Sequence, residues 1–314
     1  MWDYRAVTND HFQKLKVLTT LKLSALLLIL ASAVIHATWN LIMKRSRDKL
    51  AFIWWTMVVI VIMYLPLFLV YGSGVSGYLA DKWYFPIISG LFQFAYCILL
   101  AYAYERGDLS IVYPISRGLA PVFIAVPAYL FLHERISIPE IAGIAIIVMG
   151  VYVLHLQSLK PADLIRPIKA IASHRDSQLA VIIGGVISGY HLMDKKGIEG
   201  INPFAYLYLV QAILLVMLSL FTIPKVGWKT LKLEWKLGKG WIILVGILCF
   251  LAYLLVLFAM SIAQVSYIGA VRNVSIVFAT FLGAVVLKEE FMGLRLIASI
   301  LVVVGIIILT SFPN

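Results

Sequence analysis

Apolar stretches of about 20 residues recur along this whole chain, and they limit its fold more than any other feature. A helix of that length crosses a hydrocarbon layer roughly 30 Å thick. The runs are continuously apolar rather than alternating, which selects helices over a β-barrel. Ten candidate spans are predicted, at about 21–43, 51–71, 84–104, 110–132, 138–156, 178–194, 203–223, 241–261, 266–287 and 291–311. With 62% hydrophobic and 13% charged residues and a mean hydropathy of +0.98, the chain is more apolar than a soluble core requires. The expected fold is an all-α polytopic membrane protein.

The net charge is +11, yet nucleic-acid binding is not expected. The basic residues cluster in short loops between apolar runs, where membrane proteins carry the charges that set topology. The segment 1–20 is polar and amphipathic. It leads into an apolar run too long for a signal sequence and without a small-residue cleavage site. Cys97 and Cys249 each sit inside an apolar run without metal or redox spacing, and read as small core residues. No nucleophile–base pair, metal cluster or phosphate loop is visible, so neither an enzyme nor a cofactor is expected.

An internal repeat organises the chain. Without gaps, residues 117–154 match 272–309 at eight positions, an offset of 155. The matches include Arg117/Arg272, Glu134/Glu289 and Gly150/Gly305, residue types that are uncommon in such runs. A weaker echo joins LIMKR at 41–45 to LMDKK at 192–196. The reading is a polar segment 1–20, a first five-helix repeat 21–156, a linker 157–177 and a second five-helix repeat 178–311. Five is odd, so the second repeat must enter the membrane from the opposite side. Inverted repeats of this kind are a transporter signature, with the substrate site between the halves. The two longest connections, 157–177 and 224–240, are basic with apolar residues interleaved. Both are expected at the headgroup surface.

A charge placed in hydrocarbon costs several kcal/mol on most estimates, so Arg117 and Arg272 are the leading site candidates. Arg117 lies about four residues, or roughly 6 Å, from mid-depth, and an inverted repeat places Arg272 about 12 Å from it in depth. A guanidinium suits bidentate capture of carboxylate, phosphate or phosphonate. Each arginine either contacts substrate in this way or ties down the protein itself, through unwound backbone or an acid such as Glu105, Asp108 or Asp194. Pro114, Pro121 and Pro127 in the fourth span free backbone carbonyls, which fits a cavity-lining helix.

Further polar residues should face the bundle interior. His36, Trp39 and Asn40 share one face of the first span. An interhelical hydrogen bond is the plainer role for His36; its titration range makes it a candidate proton carrier as well. Tyr190, His191 and Asp194 occupy the same relative place in the sixth span. Asp194 carries protons, balances an arginine, or is a solvated helix end, and the last is preferred. Tyr96, Tyr102, Tyr113, Tyr253 and Tyr267, with Trp39, can form an aromatic lining able to hold an ammonium. Asn273, next to Arg272, completes the expected substrate-binding set. Glu134 and Glu289 end the fourth and ninth spans and read as helix-end or gate contacts.

HATWNLIMKRS, YPISRGLAP…LHE and VRNVSIVFATFLGAVVLKE resemble the EamA-type transporters of the drug/metabolite transporter superfamily, over about residues 21–311. The resemblance implies secondary transport of a small metabolite by alternating access in the plasma or inner membrane. It implies a cavity lined by helices one, three, four, six, eight and nine. One branch resembling HATWN and YPxxRG is associated with phosphonate use, which fits two arginines. It also implies cytoplasmic termini, whereas 8 Lys and Arg on the N-terminal side against 15 on the other put the termini outside.

The expected function is therefore secondary transport of an anionic or zwitterionic metabolite, an amino acid or an organic phosphate or phosphonate, by a monomer or homodimer. A proton or counter-substrate is a possible partner, alongside the lipid bilayer. Two alternatives stand: a flippase for a lipid-linked sugar or phosphate, and an exporter of a cationic amine held by an aromatic cage.

Overall fold

The apolar runs fold as helices in a computed structural model that describes residues 4–106, 109–154, 156, 158, 160, 163–165, 175–275, 278 and 292–311. The side chains of 4–19, 44, 103–106, 109–118, 154, 175–177, 180, 292 and 295 lie outside the described set. In chain order the helices are α1 (Tyr4–Lys44), α2 (Lys49–Tyr71), α3 (Val75–Lys82), α4 (Tyr84–Arg106), α5 (Leu109–Phe131) and α6 (Ile138–Leu154). After the linker come α7 (Arg175–Gly197), α8 (Pro203–Val226), α9 (Trp228–Ile262), α10 (Val265–Val271) and α11 (Met292–Ser311). No strand occurs among the described residues.

Among those residues five helical stretches are long and apolar enough to cross a membrane: Thr20–Met43, Lys49–Tyr71, Tyr84–Tyr102, Pro203–Val226 and Trp228–Ile262. Shorter apolar helices cover Leu119–Phe131, Ile138–Val153 and Leu296–Ser311. Leu69, Phe131, Ile138 and Leu220 are 74–83% exposed on the outer surface, as suits contact with lipid chains rather than water. The chain is thus a multi-pass membrane protein.

Local chemistry sets the helix ends. Asp48 has extended backbone, and its carboxylate accepts the Ala51 N–H at 2.8 Å to start α2. Asn202 caps α8 through the Phe204 N–H at 2.9 Å, with Pro203 at the first helical position. Gly227 separates α8 from α9 at φ +80°, a backbone angle that other residues rarely adopt.

Two sequence expectations change. The segment 224–240 is not a loop: all of it except Gly227 is helical, and α9 begins at Trp228. Its first turns pack on α2, where Trp55 Nε1 donates to Leu231 O at 2.8 Å and Asp48 N–H donates to Glu234 Oε2 at 3.2 Å. Trp228 and Trp235 of this segment join a cluster with Trp54 and Trp55. Second, the predicted ninth span, 266–287, does not run unbroken: α10 stops at Val271. Asn273 N–H then bonds Ala270 O and Ser275 N–H bonds Arg272 O, which tightens the backbone into a turn. The polar N-terminal segment is continuous in helix with the first span, from Tyr4.

Close helix crossings rest on small residues. A Cβ added at Gly305 of α11 would meet Ile147 Cγ1 at 2.6 Å and Gly143 O at 2.8 Å on α6. Its repeat mate Gly150 would meet Val302 Cγ2 at 2.9 Å and Ala298 O at 3.0 Å. These backbones approach because neither helix carries a side chain at the crossing.

The contacts also give direction. Tyr267, at the start of α10, reaches Lys22 O near the start of the first span at 3.3 Å. Lys195, near the end of α7, donates to Met260 O and Ala263 O at the end of α9. Residue 22 and residue 195 therefore lie at the same end of the bundle, so α1 runs away from that end and α7 runs toward it.

Candidate functional site

Arg272 occupies the break after α10, with 9% of its surface exposed. Its Nη1 donates to Nε2 of His191 on α7. Nδ1 of that imidazole lies 2.6 Å from Ile187 O, a carbonyl that can only accept, so Nδ1 carries the proton. Nε2 is then the bare nitrogen that faces the guanidinium, and the histidine is neutral in this arrangement. The guanidinium carbon lies 5.6 Å from the centre of the Tyr253 ring, a cation–π distance. Among the described residues no carboxylate lies within ion-pair distance of Arg272.

Asp194, on α7 like His191, is fully buried. Ser89 Oγ on α4 at 2.5 Å and the Tyr206 hydroxyl on α8 at 2.9 Å both donate to its Oδ1. The Tyr253 hydroxyl on α9 donates to Oδ2. The preferred sequence reading, a solvated helix end, is overturned. Lys195, next in sequence, turns to the α9 carbonyls while three hydroxyls enclose the carboxylate. Tyr253 thus links two charges, its hydroxyl on Asp194 and its ring face on Arg272.

A cavity of about 100 Å³ lies beside this pair. Arg272, Tyr190 and Tyr253 form part of its wall, with His36, Trp39 and Met43 from α1. Helix α2 contributes Ile53, Thr56 and Met57, α4 contributes Gln93, Tyr96 and Cys97, and α8 contributes Gln211 and Leu214. Cys249 and Phe250 of α9 complete much of the rest. The set departs from the cavity that the resemblance implied, because α2 and α8, the second and seventh predicted spans, also line it. Cys97 and Cys249, expected as core residues, stand on the wall because each faces the gap between helices. Two buried polar atoms on this wall, Trp39 Nε1 and Gln211 Oε1, have no hydrogen-bond partner. Such atoms are costly in a dry interior and suit a bound molecule that pairs them.

Of the substrate-binding candidates, Arg272, Trp39, Tyr96, Tyr190 and Tyr253 meet at this cavity. His36 is there too, its ring edge-on to Trp39 at 4.8 Å. His191 stands behind Arg272. Asn40 turns away and donates to His36 O at 2.8 Å. Tyr267 is buried near the start of the first span instead of in the cavity, since its hydroxyl reaches Lys22 O. Asn273 is 2% exposed, and its Nδ2 has no partner among the described residues. The side chains of Arg117 and Tyr113, and Glu289, lie outside the described residues.

Glu134 serves a helix end. Its carboxylate accepts the Val265 N–H at 2.7 Å, the Ser266 N–H at 3.2 Å and the Ser266 hydroxyl at 2.7 Å. It holds the N-terminus of α10, the helix that delivers Arg272 to the cavity. Sequence reasoning missed Ser89, Gln93 and Gln211. The available signal was an amide in each of two apolar runs, the third and the seventh, since polar groups at that depth face protein.

Comparison with known proteins places this geometry. One solved crystal structure superimposes with a TM-score of 0.66 over 92% of this chain and 97% of its own, at 16% identity, a likeness of fold. An uncharacterised protein of Methanocaldococcus jannaschii is 32% identical over 74 residues, 24% of this chain, and the chain spans about half the length of that relative. The EamA-like transporter family matches twice, over residues 23–156 and 177–311. Two copies across nearly all of the helical bundle show that the chain belongs to the EamA-like transporter family, whose members are membrane transporters of the drug/metabolite transporter superfamily.

Proposed function

We propose that the protein is a secondary active transporter for a small organic metabolite with an anionic or zwitterionic head group. Ten helices would cross the membrane as two inverted five-helix halves, and alternating access would come from rocking one half against the other. The opposite directions of α1 and α7 support that reading. The observation that carries the substrate class is Arg272, a buried guanidinium at a helix break, on a cavity wall, with a neutral histidine rather than a carboxylate as its partner. An anion entering the cavity can pair this guanidinium directly, which the Asp194 carboxylate across Tyr253 does not. A hydrocarbon cavity of about 150 Å³ holds benzene, so this smaller one suits a head group of a few heavy atoms. Tyr96, Tyr190 and Tyr253 pack around the remainder.

The test is a thermal-shift screen of purified protein against amino acids, organic phosphates and phosphonates, followed by liposome uptake of any stabilising compound. Arg272→Ala should remove both the stabilisation and the uptake. An anion that binds and moves equally well with Arg272→Ala would take Arg272 out of the substrate site.

A further inference from the structure

The unpaired Gln211 Oε1 ends a chain of hydrogen bonds with one direction. Gln211 Nε2 donates to Gln93 Oε1 at 3.2 Å. Gln93 Nε2 donates to Ser89 Oγ at 3.3 Å, one turn earlier on α4. Ser89 donates its single proton to Asp194 Oδ1 at 2.5 Å. All four side chains are buried.

The direction follows from the end of the chain. An ionised Asp194 takes hydroxyl protons on both oxygens, from Ser89, Tyr206 and Tyr253, and the direction of the chain is that of the ionised form. With its proton committed to Asp194, Ser89 can only accept from Gln93, so the Gln93 amide turns its nitrogen to Ser89 and its oxygen to α8. The Gln211 amide must then turn its nitrogen to Gln93, which leaves its carbonyl oxygen as the free end. The orientation of an amide is normally ambiguous between oxygen and nitrogen, and here the carboxylate at the far end removes that ambiguity. Reversal would require Asp194 to donate. Gln211 is on the cavity wall with Arg272, and its Oε1 is buried just beneath the surface of that wall.

We propose that Gln211 is a fixed hydrogen-bond acceptor of the binding cavity, oriented through Gln93 and Ser89 by Asp194, and that it selects substrates bearing an N–H or O–H donor beside the anionic group held by Arg272. Asp194, Ser89 and Gln93 are then positioning residues, and the substrate class narrows to amino or hydroxy acids and their phosphonate counterparts. The inference rests on the anion-binding reading of Arg272.

The experiment uses paired probes that share an anion and differ in one hydroxyl donor: propionate against L-lactate, and methylphosphonate against hydroxymethylphosphonate. Affinities come from thermal shifts of the purified full-length protein in detergent. The wild type should bind the donor-bearing member about tenfold or more tighter, because a site built around a polar group rejects analogues that leave it unpaired. Gln211→Leu should bring that ratio near one while the donor-free probes still bind. Gln93→Met and Asp194→Asn, which leave Gln211 in place, should reduce the ratio as well, so the test does not depend on one variant folding. A purely structural chain would lower the melting temperature of these variants and leave the ratio unchanged, and that result overturns the proposal. Equal binding within each pair by the wild type, abolished by Arg272→Ala, overturns the Gln211 role alone. Binding of no probe overturns the anion reading, and this proposal with it.

Discussion

Arg272 donates to Nε2 of His191, and that contact joins the break after α10 to the last third of α7. The two residues are 81 positions apart in sequence. The bond fixes the tautomer of the histidine and aims the guanidinium, and it brings no negative charge to the cavity.

Removing the acceptor should therefore weaken the fold as well as the site. A hydrogen bond to a charged group contributes about 1.5–3 kcal/mol. His191→Leu should destabilise the detergent-solubilised protein by an amount in that range, read as a lower melting temperature. Arg272→Met combined with His191→Leu should cost less than the sum of the two single changes, because the double variant leaves no buried cation without its partner. Strict additivity would show that the pair is not coupled.

Glu134 is the helix-end cap of α10, accepting two backbone N–H groups and one hydroxyl. Capping losses cost about 0.5–2 kcal/mol, and a charged cap lies toward the upper end. Glu134→Ala should lower stability by that amount and raise amide hydrogen exchange at 265–275 more than elsewhere. Uniform exchange across the molecule would argue against a local cap.

The α6–α11 crossing has no space at Gly305. An added methyl group would sit 2.6 Å from Ile147 Cγ1 and 2.8 Å from Gly143 O, and the second neighbour is backbone. Gly305→Ala should cost about 1–3 kcal/mol by overpacking. Gly293, with nothing within 4 Å of an added Cβ, provides the control. Gly293→Ala should leave the melting temperature nearly unchanged.

Lys22 and Glu140 pair at 2.9 Å, with their side chains 12% and 3% exposed. Ser137 donates its N–H and its hydroxyl to the same carboxylate. Leaving a buried charge unpaired costs about 3–5 kcal/mol. Lys22→Met should destabilise on that scale, and adding Glu140→Gln should recover much of the loss. A thermal-melt double-mutant cycle without coupling would contradict the ion pair.

The candidate site was partly legible for one reason: a polar side chain inside an apolar run must be paired or functional. That argument alone singled out Arg272, Trp39, His36, His191 and Asp194. It said nothing of which polar groups meet. Gln93 and Gln211 are 118 positions apart, and only the packing of α4 on α8 makes them partners. Asp194 shows the limit from the other side. Its neighbours in sequence are two lysines, while its neighbours in space are Ser89, Tyr206 and Tyr253.

What the sequence determined by itself was the class of fold and its duplication. Both depend on composition and spacing along the chain: apolar runs long enough to cross hydrocarbon, and matched Arg, Glu and Gly residues at a fixed offset. The break after Val271, the helix in place of the 228–240 loop, the neutral His191 behind Arg272 and the chain ending at Gln211 Oε1 were decided by tertiary structure. Each depends on hydrogen-bond partners from distant helices, and no local pattern records which carbonyl, hydroxyl or imidazole will satisfy a buried polar group.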